Sequence, residues 1–390
     1  MSHLIAIEPA DDITHGRAMA RIGLGLFALA CGTASLPANA DVPPDNTTLS
    51  LRFLDYQDSQ PGNERIRVRA PALAISMPLA GDWSFDGSVV SDVISGASPA
   101  FYSATRSFSQ ITDHRLAVDA NVTKYLPDGS LKVGVAVSSE SDYDSRAVSA
   151  LASFSTDDRN TALKLGVGLT KDLIRSNVDS TLHETRSSVD WLLGITRVLS
   201  ATDIAQLTVT YANGQGFFSD PYKALDNRPR SRQAGTVLAR WNHFFVGSDA
   251  TARMSYRYYA DTNNIHAHTV QFEYEQPLAY GWALTPLLRV YSQSAASYFV
   301  APNLNFPTRI NIPVDFVPGE SLISFDQRAS SFGGSTWGIK VAKELDKNWS
   351  VDVKIERYEQ RAAWRWGGEG TPGLDTFVAR TWQIGLSRRL

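Results

Sequence analysis

From about Leu49 to Leu390 the chain repeats one unit, a segment in which apolar and polar side chains alternate, joined to the next by links that are short, then long, then short. Successive side chains of a β-strand point to opposite faces, so strict alternation makes one apolar face and one wet face. Trp382, Ile384 and Leu386 share a face, while Thr381, Gln383 and Gly385 share the other. Val351, Val353 and Ile355 alternate with Ser350, Asp352, Lys354 and Glu356 in the same way, as do Val270, Phe272 and Tyr274 with Thr269, Gln271 and Glu273. A soluble sandwich also alternates, but about sixteen such segments with almost no helical period between them are too many for one sandwich core. The pattern predicts an all-β fold, a transmembrane antiparallel up-and-down β-barrel of about 16 strands.

Composition agrees with that reading. Hydrophobic residues are 43% and charged residues 20% of the chain, ordinary values for a soluble protein, yet a barrel needs only every second residue to be apolar. There is no run of about eighteen apolar residues of the kind a spanning helix requires. The formal net charge of −3 argues against nucleic acid, whose phosphates need a basic surface. Nine Trp and fourteen Tyr suit the interfacial girdles of a barrel.

Residues 1–40 read as an export signal: Arg17 and Arg21 precede an apolar stretch, and Ala38-Asn39-Ala40 offers a small-residue cleavage site. Residues 41–390 then form one outer-membrane barrel domain. The only cysteine, Cys31, falls in the signal, so no disulfide and no thiolate chemistry is expected in the mature chain.

Tight links carry turn chemistry, as at Ala80-Gly81-Asp82, Pro127-Asp128-Gly129 and Asp346-Lys347-Asn348. Long links run over 94–112, 170–186, 214–232, 294–325 and 362–375, and one long strand is expected over 326–345. Short turns on the periplasmic side and long extracellular loops place both termini in the periplasm. Loop 294–325 carries Phe299, Phe306, Ile310, Ile312, Val314 and Phe316, and is less polar than a solvated loop should be. It can fold inward as a constriction, pack on a partner or pack on the rim.

Charges on the polar faces cannot sit unpaired in a dry core, so they must meet water or one another. On this argument the lumen residues are Arg67, Arg69, Asp86, Arg115, Asp119, Arg253, Arg257 and Glu273. Candidate ligand residues in the loops are Asp92 in 91–99, and Asp220, Lys223, Asp226 and Arg228 in 214–232. A hard cation such as calcium is one reading, but their spacing matches no EF-hand or RTX repeat, and a network of turns and ion pairs is the better explanation. His266 and His268 share a face near a strand end and are expected in the interfacial belt. No nucleophile motif, phosphate-cradling loop or haem-attachment motif occurs, so neither catalysis, a bound metal nor a cofactor is expected.

Several stretches carry a family likeness. Asp55-Tyr56-Gln57-Asp58-Ser59-Gln60-Pro61-Gly62, Ser91-Asp92-Val93-Ile94-Ser95-Gly96, Phe218-Ser219-Asp220-Pro221-Tyr222-Lys223 and Asn227-Arg228-Pro229-Arg230 together resemble the uncharacterised outer-membrane family known as domain of unknown function 3570. The terminal Leu386-Ser387-Arg388-Arg389-Leu390 fits as well, although such barrels usually close on Phe or Trp. The resemblance implies a Gram-negative outer-membrane barrel whose neighbours include flavin-attachment and thioredoxin-like proteins.

Two functions follow as expectations. One is a channel or transport pore for small polar solutes, with outer-membrane lipid and the barrel-assembly machinery as partners. The other is a barrel sheath or docking protein for a secreted or periplasmic partner, an electron carrier being one candidate.

Overall fold

The computed structural model describes residues 42–97, 110–177, 179–223, 225–305 and 311–390, so the expected signal, Phe306 and Ile310 lie outside the described residues. The sixteen strands are β1 (Thr48–Gln60), β2 (Asn63–Leu79), β3 (Trp83–Ala97), β4 (Gln110–Leu126), β5 (Gly129–Ser139), β6 (Tyr143–Ser155), β7 (Thr161–Ile174) and β8 (Glu184–Val198), followed by β9 (Asp203–Gly216), β10 (Ser231–Phe245), β11 (Ala250–Asp261), β12 (His266–Leu278), β13 (Trp282–Gln293), β14 (Phe332–Glu344), β15 (Trp349–Arg361) and β16 (Phe377–Arg389). Each pairs antiparallel with its neighbours in sequence, and β16 pairs with β1 to close the ring. Among the described residues no helix is long and apolar enough to cross a membrane.

Closure runs over the whole length of the seam, from Thr48 opposite Arg389 to Ser59 opposite Val378. Beyond it, the Leu390 amide donates to the Thr47 carbonyl at 2.8 Å, so the terminal leucine is held by its backbone. The tight turns fall where the sequence places them: Ser155 N donates to Asp128 O and Tyr125 N to Asp82 O, at 2.8 and 2.7 Å.

Large apolar side chains stand exposed on the outside of the ring. Leu51, Leu73, Val89, Leu116, Val133, Val148, Leu165 and Leu193 represent β1 to β8, each at least 41% exposed. Val209, Val237, Met254, Phe272, Val290, Ile339, Val353 and Ile384 continue the band on β9 to β16. A band of this extent in water would be an aggregation surface, whereas in a bilayer it is the lipid contact. The backbone is compatible with lipid because a closed ring leaves no edge strand unpaired.

Strands run past the apolar band at the long-loop end, β3 to Ala97 and β7 to Ile174, where alternation no longer demands apolar residues. One expected strand is shorter: β14 starts at Phe332 rather than 326, and Gln327–Ala329 form a 3-10 turn instead. The purified barrel should migrate differently on a gel in SDS before and after boiling, and coincident bands would remove the closed ring.

Candidate functional site

Strand register decides which side chains face inward. Asp86 and Asp92 on β3, and Arg115 and Asp119 on β4, lie on the face opposite to Val89 and Leu116. Arg253 and Arg257 on β11 and Glu273 on β12 lie opposite to Met254 and Phe272. These inward charges pair: Lys132 with Asp86 at 3.3 Å, Arg253 with Glu275 at 2.9 Å and with Glu273 at 3.8 Å. Asp119 accepts from Asn121 Nδ2 at 3.1 Å and from the Ser88 hydroxyl.

Two of the lumen assignments are corrected. Arg67 and Arg69 share the face of Leu73 and lie opposite Gln57 and Asp55, on the outside of the ring. They sit beyond the apolar band, where headgroups and water solvate a guanidinium, so their charge did not require a lumen. A register shift between Gln57 and Ser59 separates them from Arg65, which a bulge turns inward onto Asp58 at 3.8 Å. A third correction concerns Asp92, which is part of β3 and ion-paired with Arg115 inside the barrel rather than exposed in a loop.

The remaining loop candidates do come together, at the mouth formed by the long loops. At the end of β9, Gly216 takes φ +122°, and an added Cβ would stand 2.2 Å from Thr185 O, so only glycine lets the chain turn there. The loop that follows carries Asp220, Lys223, Asp226 and Arg228 over the opening. The β13–β14 loop meets it, with Asn227 and Ile323 exchanging backbone hydrogen bonds of 2.8 Å. Asp326, fully buried, is the hub: Lys223 Nζ lies 3.2 Å away, Arg228 donates at 2.9 Å, and Arg328 donates through its side chain and, at 3.0 Å, its backbone amide. Arg328 also reaches Asp220 at 2.9 Å, and Arg228 reaches Asp226 at 2.9 Å. Three carboxylates and three cations thus balance.

The same segment reaches the far wall. Gln60 at the end of β1 donates from Nε2 to Gln327 Oε1 at 2.8 Å, and Gln293 on β13 donates to the Ser330 carbonyl at 2.7 Å. In a ring of sixteen, β1 and β9 stand opposite one another. Residues 323–331 are therefore a strap, tied to the β9–β10 loop at one end and to the β1 wall at the other. Its apolar side is seated by Ile323 and Phe325, each 1% exposed, packing with Phe299, Val300 and Phe316. Of the apolar loop residues foreseen as a constriction, Phe299 and Phe316 turn in, while Ile312 and Val314 stay exposed.

Burial alone would raise the Asp326 carboxyl, but the surrounding Arg328, Lys223 and Arg228 cations hold it well below the usual carboxylate range. Burial lowers the Lys223 ammonium and, despite Arg228, raises Asp226. Alternation could not have found Asp326 and Arg328. The available signal was the failure of alternation in Ser324-Phe325-Asp326-Gln327-Arg328-Ala329-Ser330-Ser331, which reads as a turn-rich segment rather than a strand.

A second buried group was also missed. Asp113, Glu140 and Asp142 bring one carboxylate oxygen each within 4.8 Å of one another, a donor set of the kind a hard cation takes, and the Tyr222 hydroxyl donates to Asp142. His266 and His268 project outward on β12 among aromatic rings: the Tyr258 and Tyr256 hydroxyls lie 2.9 and 2.8 Å from their Nδ1 atoms.

Asp326→Asn should weaken the strap by about 3–5 kcal/mol, the usual cost of removing one partner from a buried ionic group. Hydrogen exchange at Ser324 and Arg328 would then speed up while the strand amides stay protected. A carboxyl held below its unfolded value stabilises fully above the unfolded pKa of about 4, and that contribution is lost only as pH falls through the folded value. Asp226, shifted upward, favours the folded state when protonated. Strap protection should therefore not fall between about pH 7 and pH 5, and a loss near pH 6 would contradict this assignment.

A profile described as "Protein of unknown function (DUF3570)" matches residues 105–184 and 175–378. No curated protein matches the chain. Among solved structures the chain is similar to CdiB from Acinetobacter baumannii, with 9% identity over 87% of this chain and 60% of that one at a TM-score of 0.49. It is also similar to a bacterial polysaccharide outer membrane secretin (10% identity, 88% and 98% covered, TM-score 0.48) and to a Pseudomonas aeruginosa FadL homologue (10% identity, 88% and 90% covered, TM-score 0.43). The chain spans less than two thirds of the length of CdiB.

Proposed function

This chain belongs to the DUF3570 family, and on that footing we propose that it is a gated pore for small polar solutes in the outer membrane of a Gram-negative cell. The observation that carries the reading is the strap over 323–331, an ionic and hydrogen-bonded bar between opposite walls above a charged interior. A sealed structural barrel has no need of a balanced, desolvated charge cluster at one end. A gate does, because breaking one member releases the others together.

Below the strap charges of both signs line the interior. Arg240, Arg253, Arg257 and Arg289 face inward with Glu273 and Glu275 on β10 to β13, and Asp86 and Asp119 face inward with Arg115 and Lys132 on β3 to β5. Strands β3 and β11 are opposite in the ring, so a solute would pass between charged groups on both sides. Such a lining favours polar, hydrated solutes over apolar ones. The role proposed is passage rather than catalysis.

Planar-bilayer recording tests the reading. Wild-type protein should show rare openings, and Asp326→Asn should raise open probability severalfold. Arg257→Glu should move ion selectivity toward cations. Wild type and Asp326→Asn both silent, with a periplasmic or secreted protein co-purifying, would favour the docking reading instead. In cells, a cysteine at Val314 should label from outside, and one at Lys347 only after permeabilisation.

A further inference from the structure

The outward face of β15, β16, β1 and β2 carries an arginine cluster that the pore does not use. Along β16 the outward residues read Arg388, Leu386, Ile384, Trp382, Arg380, so an apolar strip is bounded by arginine at both ends. From Arg388 to Arg380 is about 26 Å along the strand, or about 20 Å along the barrel axis at the usual tilt, close to the height of a lipid-facing band. On β15 the strip Val351, Val353, Ile355 likewise ends at Arg357, and on β2 the strip that includes Leu73 and Pro71 ends at Arg69 and Arg67. All three strands change from apolar to arginine at their extracellular end.

Arg357 stands directly opposite Arg380, and Arg380 opposite Gln57, which is opposite Arg67. Like charges in direct cross-strand register repel unless an anion lies between them. The local carboxylates are too few: Asp55 is shared by Arg67 at 2.7 Å and Arg69 at 3.3 Å, and Glu359 is shared by Arg357 at 3.2 Å and Arg361. Glu64 adds one exposed charge beside Arg67. Arg380 is exposed and has no ion-pair partner among the described residues. Five guanidiniums therefore meet three carboxylates on a surface whose lower part, with Trp382 and Phe53 in ring contact at 5.3 Å, is apolar.

We propose that this face binds a phosphorylated glycolipid of the outer leaflet, its phosphates on Arg357, Arg380 and Arg67 and its acyl chains along Ile355, Trp382 and Phe53. The chemistry requires an amphiphile: guanidinium forks take phosphate oxygens bidentately, and on β15 and β16 the apolar strip begins at the very next outward residue, Ile355 and Trp382. The four strands span about 15 Å, enough for a sugar headgroup bearing more than one phosphate. A lipid held there would also lie across the β1–β16 seam and brace it. The inference rests on the reading that the long loops face outside.

Native mass spectrometry of the refolded full chain in detergent tests it, with bisphosphorylated lipid A, dephosphorylated lipid A, phosphatidylglycerol and inorganic phosphate as separate probes. Bisphosphorylated lipid A should give a retained adduct, and Arg357→Gln with Arg380→Gln should weaken it about tenfold while heat-modifiable migration is kept. Equal retention of dephosphorylated lipid A or of phosphatidylglycerol, or competition by inorganic phosphate at lipid concentrations, would overturn a glycolipid site. If the double variant fails to refold, Arg67→Gln alone should reduce retention, and no reduction overturns the proposal. Because the readout uses purified protein, a wrong orientation would appear only in the cell-surface labelling and a wrong lipid site only here.

Discussion

Pairing of the last strand with the first is the interaction on which everything else depends. Within a bilayer there is no water to receive an unpaired amide or carbonyl, so a sheet with edges cannot persist there. The seam from Thr48 with Arg389 to Ser59 with Val378 removes both edges at once. It also divides every strand into a lipid side and an interior side, because the period-two alternation then has a closed inside and a continuous outside. The exposed apolar band and the inward charges are two results of that one closure.

The long-loop mouth is governed by a different term. Its strap is held by charge, and desolvation makes that choice consequential. Asp326 buried alone would be costly, but among Lys223, Arg228 and Arg328 its ionised form is favoured. The cations depend on it in turn, since burial works against each of them. An arrangement whose members are each costly alone tends toward two states, fastened or released.

Not every charge on a barrel strand belongs to its lumen, and the arginines illustrate why. Arg65, Arg67 and Arg69 look equivalent in sequence, two residues apart. A bulge turns Arg65 inward to Asp58, while Arg67 and Arg69 remain outside beyond the apolar strip. The physical requirement is contact with water or a counter-charge, and a rim satisfies it as well as a lumen does. Charge alone therefore could not decide between the two.

Local periodicity by itself determined the strand identities, their antiparallel order, the short turns at Gly81 and Asp128-Gly129, and the side on which Trp382, Ile384 and Leu386 would emerge. These are properties of neighbouring residues, and the backbone period expresses them directly. Only the tertiary structure decided that Asp220, Lys223, Asp226 and Arg228 converge on Asp326 and Arg328, about a hundred residues later in the chain. It also decided that Asp92 pairs inside the barrel and that Arg357 faces Arg380 across β15 and β16. Those contacts depend on ring closure and on loop paths over the mouth, and no local pattern encodes which distant charge a loop will meet.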